Sequence, residues 1–500
     1  MSKQSKYLEK ATSEASKTFS IKVISYLIVF ISQVIFTRML GANLIGLYQI
    51  CMNIMMMAMM VSVLGMDSSN IKFVSEAYSK QNWSKLKAYL VYSTKVTIIL
   101  SFICSLGIFI FREKIAIHVF NDKRLISILP IFCVLIIIYA LIEVIGGYVR
   151  GIKCSSSYFL SQEFINKFIK LVIFLLLSLI GIKFAGLIIG TIIGFILSLV
   201  YLIYIIKNNT QQVFDKNIEK SPINKEEFWK FSLSMSVVYF TNYLMLYVNS
   251  TIVGIYLSAT EVAIYSNAQN LSSFIIFIYV SFNSIFISMV SELHNNSKIK
   301  ELRNLYIEIT RIILLLSTPI LLIILFYSKT LMGIFGERFR TGSLAFIILS
   351  LGQFFNIIVG PNESLLSMTG NQKCSMINGI IIAIVNIALN IILIPYMGIV
   401  GSAIAGNIAI VSVNIIKTIQ VKHKLNILPY DKSIFKLIII TIINIIFLII
   451  FTNIVPKNLI TAIIAGIIIS VISLAIYYIF GISENEKEII GKIIKKINKK

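Results

Sequence analysis

The residues with most to offer chemically are charges and amides set inside runs otherwise made of Ile, Leu, Phe and Val. Each is costly in hydrocarbon and normally faces a bundle interior or a wet cavity. Lys22, Ser25 and Gln33 share one helical face, since eleven residues are close to three turns. Gln49 and Asn53 lie one turn apart. Asn242 and Asn249 align over seven residues, and Asn267 pairs with Asn270 over three. Amides of this kind either glue helices together or line a shared cavity. Their recurrence in two parts of the chain favours the cavity.

The basic residues are more specific. Glu163, Lys167 and Lys170 form one stripe by four- and three-residue spacing. Glu163 can pair with Lys167, which leaves Lys170 with no acid in its own helix. Lys95 and Arg311 sit about two turns in from helix ends, where snorkelling to the interface and a role in the cavity are equally open. Unbalanced positive charge at membrane depth calls for an anionic cargo.

The elements that position these groups are membrane helices. Of 500 residues 57% are hydrophobic and 13% charged, and the mean hydropathy is strongly positive, more than one soluble core could hide. With about 20 residues needed to cross the hydrocarbon, about fourteen spans are expected, near 19–40, 44–65, 91–111, 126–147, 157–181, 184–206, 231–256, 262–289, 305–327, 342–366, 375–395, 399–421, 434–455 and 459–480. The expected fold is therefore an all-α polytopic membrane protein.

The chain also repeats itself about 216 residues apart. Val74-Ser75-Glu76 returns as Val290-Ser291-Glu292, Leu86-Lys87 as Leu302-Arg303, and Thr94-Lys95 as Thr310-Arg311. Leu40-Gly41-Ala42 … Tyr48 … Asn53 matches Leu257-Ser258-Ala259 … Tyr265 … Asn270. This predicts two pseudo-symmetric six-helix halves, 1–206 and 231–430, joined by a linker at 207–230. Two extra helices at 431–482 and a basic tail at 483–500 follow. Multi-span repeats are the architecture of carriers, which rock related halves about a central site.

Basic residues cluster in alternate loops, with roughly a third as many on the other side, so both termini are expected in the cytoplasm. The formal net charge of +23 sits at membrane ends, where anionic lipids are the natural partner and nucleic acid is not. The tail from Glu484 on could form an amphipathic surface helix, although a solvated topology anchor is the plainer role. Five cysteines without metal-ligand spacing read as apolar filler. His118, His294 and His423 have no carboxylate at catalytic or metal spacing, and no phosphate-cradling Gly loop appears. No cofactor, metal or catalytic residue is therefore expected.

Thr37-Arg38-Met39-Leu40-Gly41-Ala42 … Gly46-Leu47-Tyr48 resembles the opening signature of polysaccharide-biosynthesis membrane proteins. Gly360-Pro361-Asn362 … Thr369-Gly370-Asn371 and Asn386 … Asn390 … Pro395 … Gly398-Ile399-Val400-Gly401-Ser402-Ala403 are similar to their later segments. Met39 departs from the Leu more usual there. The resemblance covers nearly the whole chain. It implies an oligosaccharide flippase of the multidrug/oligosaccharidyl-lipid/polysaccharide exporter superfamily, moving polyprenyl-diphosphate-linked sugars outward by alternating access at the cytoplasmic membrane. It would add polysaccharide-assembly proteins as partners. A diphosphate suits Lys and Arg, and hydroxyls suit Asn, Gln and Tyr.

Rival readings are a flippase for a cell-wall or spore lipid precursor, and a drug/cation antiporter using Glu143 or Glu163. These two acids lie near helix ends. A polysaccharide polymerase or ligase would need large outer loops, and every such loop is expected to be short.

Overall fold

The computed structural model describes the backbone of residues 3–215, 218–431 and 434–480. Side chains are described from Ile21 onward except at a few positions, Lys22 and Asn242 among them. The basic tail lies outside the described residues, and so does the part of the linker at 216–217. No strand occurs among the described residues. The principal helices are α1 (Lys3–Val63), α2 (Trp83–Lys114), α3 (Leu125–Gly151), α4 (Asn166–Leu179), α5 (Phe184–Asn209), α6 (Lys225–Tyr256) and α7 (Ala259–Ser272). They continue with α8 (Phe274–Asn295), α9 (Ile299–Met332), α10 (Ser343–Ile358), α11 (Gln372–Leu425), α12 (Ile434–Ile454) and α13 (Leu459–Phe480). The chain forms two compact units, Met1–Ile264 and Tyr265–Lys500.

Long apolar runs become helices because, in hydrocarbon, every backbone N–H and C=O must be satisfied within the segment. Among the described residues nine helices are long and apolar enough to cross a membrane, or ten if the bent pair Lys225–Thr241 and Leu246–Tyr256 is one span. Fourteen crossings remain an expectation of the sequence. Part of the difference lies in stretches that hold more than one span. Ile24–Val63, 40 residues, would run about 60 Å if straight, twice the hydrocarbon thickness. It breaks at Gly41 (φ 76°, ψ 168°), a conformation open to glycine and the point where the first expected span ends. Likewise α11 breaks at Gly398 (φ 58°, ψ −140°), between the expected spans at 375–395 and 399–421.

The expected span 157–181 is not one regular helix. It begins with a short helix, Ser155–Phe159, passes through a π-helical stretch, Leu160–Ile165, and only then becomes α4. The π stretch carries Gln162 and Glu163, and such insertions are often found at functional sites. In the first unit α4 packs on α5 and α3 packs on α1 and α2. A Cβ on Gly190 of α5 would sit 2.8 Å from the Lys170 carbonyl oxygen, and one on Gly194 would sit 2.7 Å from that of Asn166. These glycines let two backbones touch, and so fix where Lys170 stands.

In the second unit α9 packs against α8, α10, α12 and α13. Leu322, Tyr327, Leu448, Ala462, Ala465 and Ile469 form a buried apolar cluster joining α9, α12 and α13. The two limbs of α11 are stapled where Ser402 Oγ donates to Asn390 Oδ1 at 2.7 Å and Asn390 Nδ2 donates to Asn386 Oδ1 at 2.9 Å.

Candidate functional site

Two groups of charged side chains lie within the first unit, and their surroundings differ. The first is built around Lys170. Its Nζ lies 5.5 Å from the centre of the Phe36 ring and 5.8 Å from that of Tyr48, within cation–π range. The rings are held by contacts of their own. Phe36 meets Phe174 edge-on at 4.7 Å, Tyr48 meets Phe132 at 5.9 Å, and the Tyr48 hydroxyl bonds Thr191 Oγ1 at 2.9 Å. Glu163 pairs with Lys167 as the spacing predicts. Lys170 has no carboxylate partner among the described residues.

The second group joins α3 to the segment after α1. Arg150 Nη2 reaches Asp67 Oδ2 at 3.4 Å, and its guanidinium lies 4.4 Å from the Tyr158 ring centre. Tyr158 Oη donates to Glu143 Oε2 at 3.1 Å, and Gln162 Nε2 donates to Glu143 Oε1 at 3.0 Å. Ser68 Oγ donates to Tyr239 Oη at 3.3 Å. Asp67, Glu143 and Tyr239 line a cavity of roughly 310 Å³ whose other walls include Met59, Met60 and Val63. The approach of α3 depends on Gly147, where a Cβ would lie 2.3 Å from the Asp67 carbonyl oxygen. With both carboxylates ionised, two negative charges face one guanidinium. The group can therefore hold a proton or a small cation as well as brace the helices.

The other expected residues scatter. Asn53 is buried and donates to Ser250 Oγ at 2.8 Å, and its own Oδ1 has no partner among the described residues. Asn249, next to Ser250 in sequence, is also buried, whereas Gln33 and Gln49 are half-buried. Lys95 is exposed on α2. Asn267 is fully buried and Asn270 is exposed. Arg311 is buried on α9, its guanidinium 5.9 Å from the Tyr477 ring centre, and it lines a small crevice with Asp431 and Leu437. The side chains of Lys22 and Asn242 lie outside the described residues.

Asp67 and Arg150 were invisible to sequence reasoning because each falls just past the end of a span, where a charge reads as an anchor. Glu143 was seen, but its position near a helix end counted against it. The available signal was Gly146-Gly147 one turn from Glu143 and Arg150, a small-residue face that brings a neighbour close.

The motifs behind the family resemblance prove mostly architectural. Gly41 makes the break in α1, and a Cβ on Gly46 would lie 1.6 Å from the Ala259 carbonyl oxygen. Gly360 takes φ 66° over Thr310, and Asn362 is buried next to it. Tyr48 also touches a candidate site.

Comparison with known proteins agrees with this fold. A family model described as polysaccharide biosynthesis protein matches residues 12–290, and one described as MatE matches 235–392. Stage V sporulation protein B of Bacillus subtilis (strain 168) is 23% identical over 400 residues, covering 75% of this chain and 76% of that one. Lipid II flippase MurJ, in an inward closed conformation, superposes with TM-score 0.72 at 19% identity over 92% of this chain and 98% of that one. An inward-facing multidrug resistance MATE family transporter of the MOP superfamily gives TM-score 0.66 at 13% identity over 82% and 98%. A family model spanning more than half the chain places it in the polysaccharide biosynthesis protein family, in keeping with its multi-pass helical architecture and the breaks at Gly41 and Gly398.

Proposed function

We propose that this protein carries a polyprenyl-diphosphate-linked oligosaccharide across the cytoplasmic membrane by alternating access, for surface polysaccharide assembly. The observation that carries the reading is Lys170, a cation on α4, within the expected span 157–181, that faces two aromatic rings and no acid among the described residues. A lysine at the middle of a membrane helix costs about 3 kcal/mol on insertion scales, so one kept without a counter-ion has a use. A diphosphate supplies the missing negative charge. Aromatic faces suit sugar rings, and the amides of Asn53 and Asn249 suit hydroxyls. The cargo head would exchange its water for these groups while the polyprenyl tail stays in lipid. Six-helix halves at 1–206 and 231–430, cytoplasmic termini and anionic lipids at the basic loops belong to the same proposal.

The test is transport in vesicles carrying the purified protein and a fluorescent polyprenyl-diphosphate oligosaccharide. Protein-dependent movement of the probe between leaflets is expected, and movement equal to that in empty vesicles would remove the reading. A second reading keeps the chemistry and changes the cargo to a cell-wall or spore lipid precursor. It draws on the likeness to a sporulation protein and on the fold shared with a lipid II flippase. Offering both cargoes to the same vesicles separates the two.

A further inference from the structure

The second unit holds another cationic cavity, which the proposed transport path does not use. It lies where the C-terminal end of α9 meets the turn between α12 and α13, and has a volume of about 600 Å³. Lys329, Arg340 and Lys457 line it, and among the described residues no carboxylate does. Arg340 is bonded to Glu337 at 3.1 Å, whereas Lys329 and Lys457 have no ion-pair partner among the described residues. The turn is firmly built. Thr330 Oγ1 donates to the Lys457 carbonyl oxygen at 3.0 Å, and Asn458 Oδ1 accepts from the Thr461 N–H at 2.9 Å, capping α13. The positive N-terminal end of α13 therefore opens on the same space.

Tyr327, also in the wall, is only 1% exposed and sits where α9 departs from helical geometry (φ −120°, ψ 17°). Three cations and a helix N-terminus around one cavity fit a phosphate ester.

We propose that this cavity binds the phosphate of an anionic phospholipid headgroup. Its volume far exceeds one phosphate ion, and its rim continues into lipid-facing surface. Leu459 lines it, Ile463 lies one turn further along the same face of α13, and Ile454 and Ile460 are likewise exposed. The headgroup phosphate would meet Lys457 and Lys329 while the acyl chains lie along α13. The bound lipid would tie the last two helices to α9, independently of any cargo held near Lys170.

The experiment uses the full chain in detergent and in vesicles. Thermal stability is followed while short-chain phosphatidylglycerol, phosphatidylcholine or inorganic phosphate is titrated in. Phosphatidylglycerol should stabilise at concentrations where the other two do not. The double variant Lys329→Gln/Lys457→Gln should bind it about tenfold more weakly, from the loss of two cations beside an anion. Lys329→Arg/Lys457→Arg should retain binding, which excludes a folding defect as the cause. Equal stabilisation by phosphatidylcholine would overturn the proposal. So would equal stabilisation by inorganic phosphate, which would mark a site for the free ion, or unchanged affinity in the Gln variant.

Discussion

Two cations of the first unit, Arg150 and Lys170, sit on neighbouring parts of the same fold in opposite circumstances. Arg150 meets Asp67 at 3.4 Å and lies over Tyr158, which itself bonds Glu143. Among the described residues Lys170 meets the rings of Phe36 and Tyr48 and no carboxylate. A paired charge already has its compensation inside the protein, and removing it leaves the partner stranded. An unpaired one leaves the compensation to water or a ligand. Arg150 should thus matter first to the fold, and Lys170 first to transport.

The largest effect is expected from Arg150→Gln. Asp67 would lose its cation in a setting where that carboxylate is almost fully buried. Destabilisation of about 3 kcal/mol is expected, with a clear fall in membrane abundance measured by blotting or fluorescence of a fusion. Asp67→Asn combined with Arg150→Gln should recover part of the loss, since Asp67 is then no longer a buried charge without its cation. If Arg150→Gln were as abundant as the parent, the pair would not be structural and the comparison would fail.

Lys170→Gln should do the reverse. The protein should reach the membrane at normal abundance, because no partner is stranded, while leaflet-to-leaflet movement of the diphosphate probe falls about tenfold or more, the loss of one charge-assisted contact. Unchanged transport would remove Lys170 from the cargo site. Lost transport with lost protein would give it the same structural role as Arg150.

Much of this was legible in the sequence, for a physical reason. Spans announce themselves because lipid tolerates little but long apolar runs. A glycine such as Gly41 can be read as a break because it ends one such run and starts another. Lys170 stood out because its own helix lacks an acid. Asp67 and Arg150 lie 83 residues apart, and only packing of α3 against the segment after α1 brings them together. No periodicity within one helix could reveal that. For Asn270 and Lys95 the spacing is suggestive and both side chains are exposed, yet what an exposed side chain faces depends on neighbours that pattern alone does not identify.

A smaller effect should come from Tyr48→Phe. It removes the 2.9 Å bond to Thr191 and keeps the aromatic face beside Lys170. Loss of about 1 kcal/mol of stability is expected, with transport close to that of the parent. Transport falling as far as in Lys170→Gln would mean that the hydroxyl, and not the ring, contacts cargo, and the aromatic part of the site would need redrawing.

The smallest effect comes from an exposed ion pair, and it calibrates the buried one. Arg124 Nη2 meets Asp122 Oδ2 at 2.6 Å in the loop before α3, closer than the Arg150–Asp67 contact, and Arg124 Nη1 also bonds Asn43 Oδ1 at 2.5 Å. The Arg124 hydrogen bond holds the Asp122 carboxyl below the usual carboxylate range despite some desolvation. A carboxyl lowered in the folded state stabilises above its unfolded pKa of about 3.9, and that stabilisation is lost as pH falls through the lower folded value. Half of the Arg124 side chain is in water, so the pair is worth under about 1 kcal/mol. Asp122→Asn should therefore lower the thermal midpoint slightly at pH 6, and the gap from the parent should close as pH drops below about 3.9. A pH 6 loss as large as that of Arg150→Gln would show that the shorter contact governs the energy. Burial would then not be what separates the two pairs, and the contrast between Arg150 and Lys170 would need another basis.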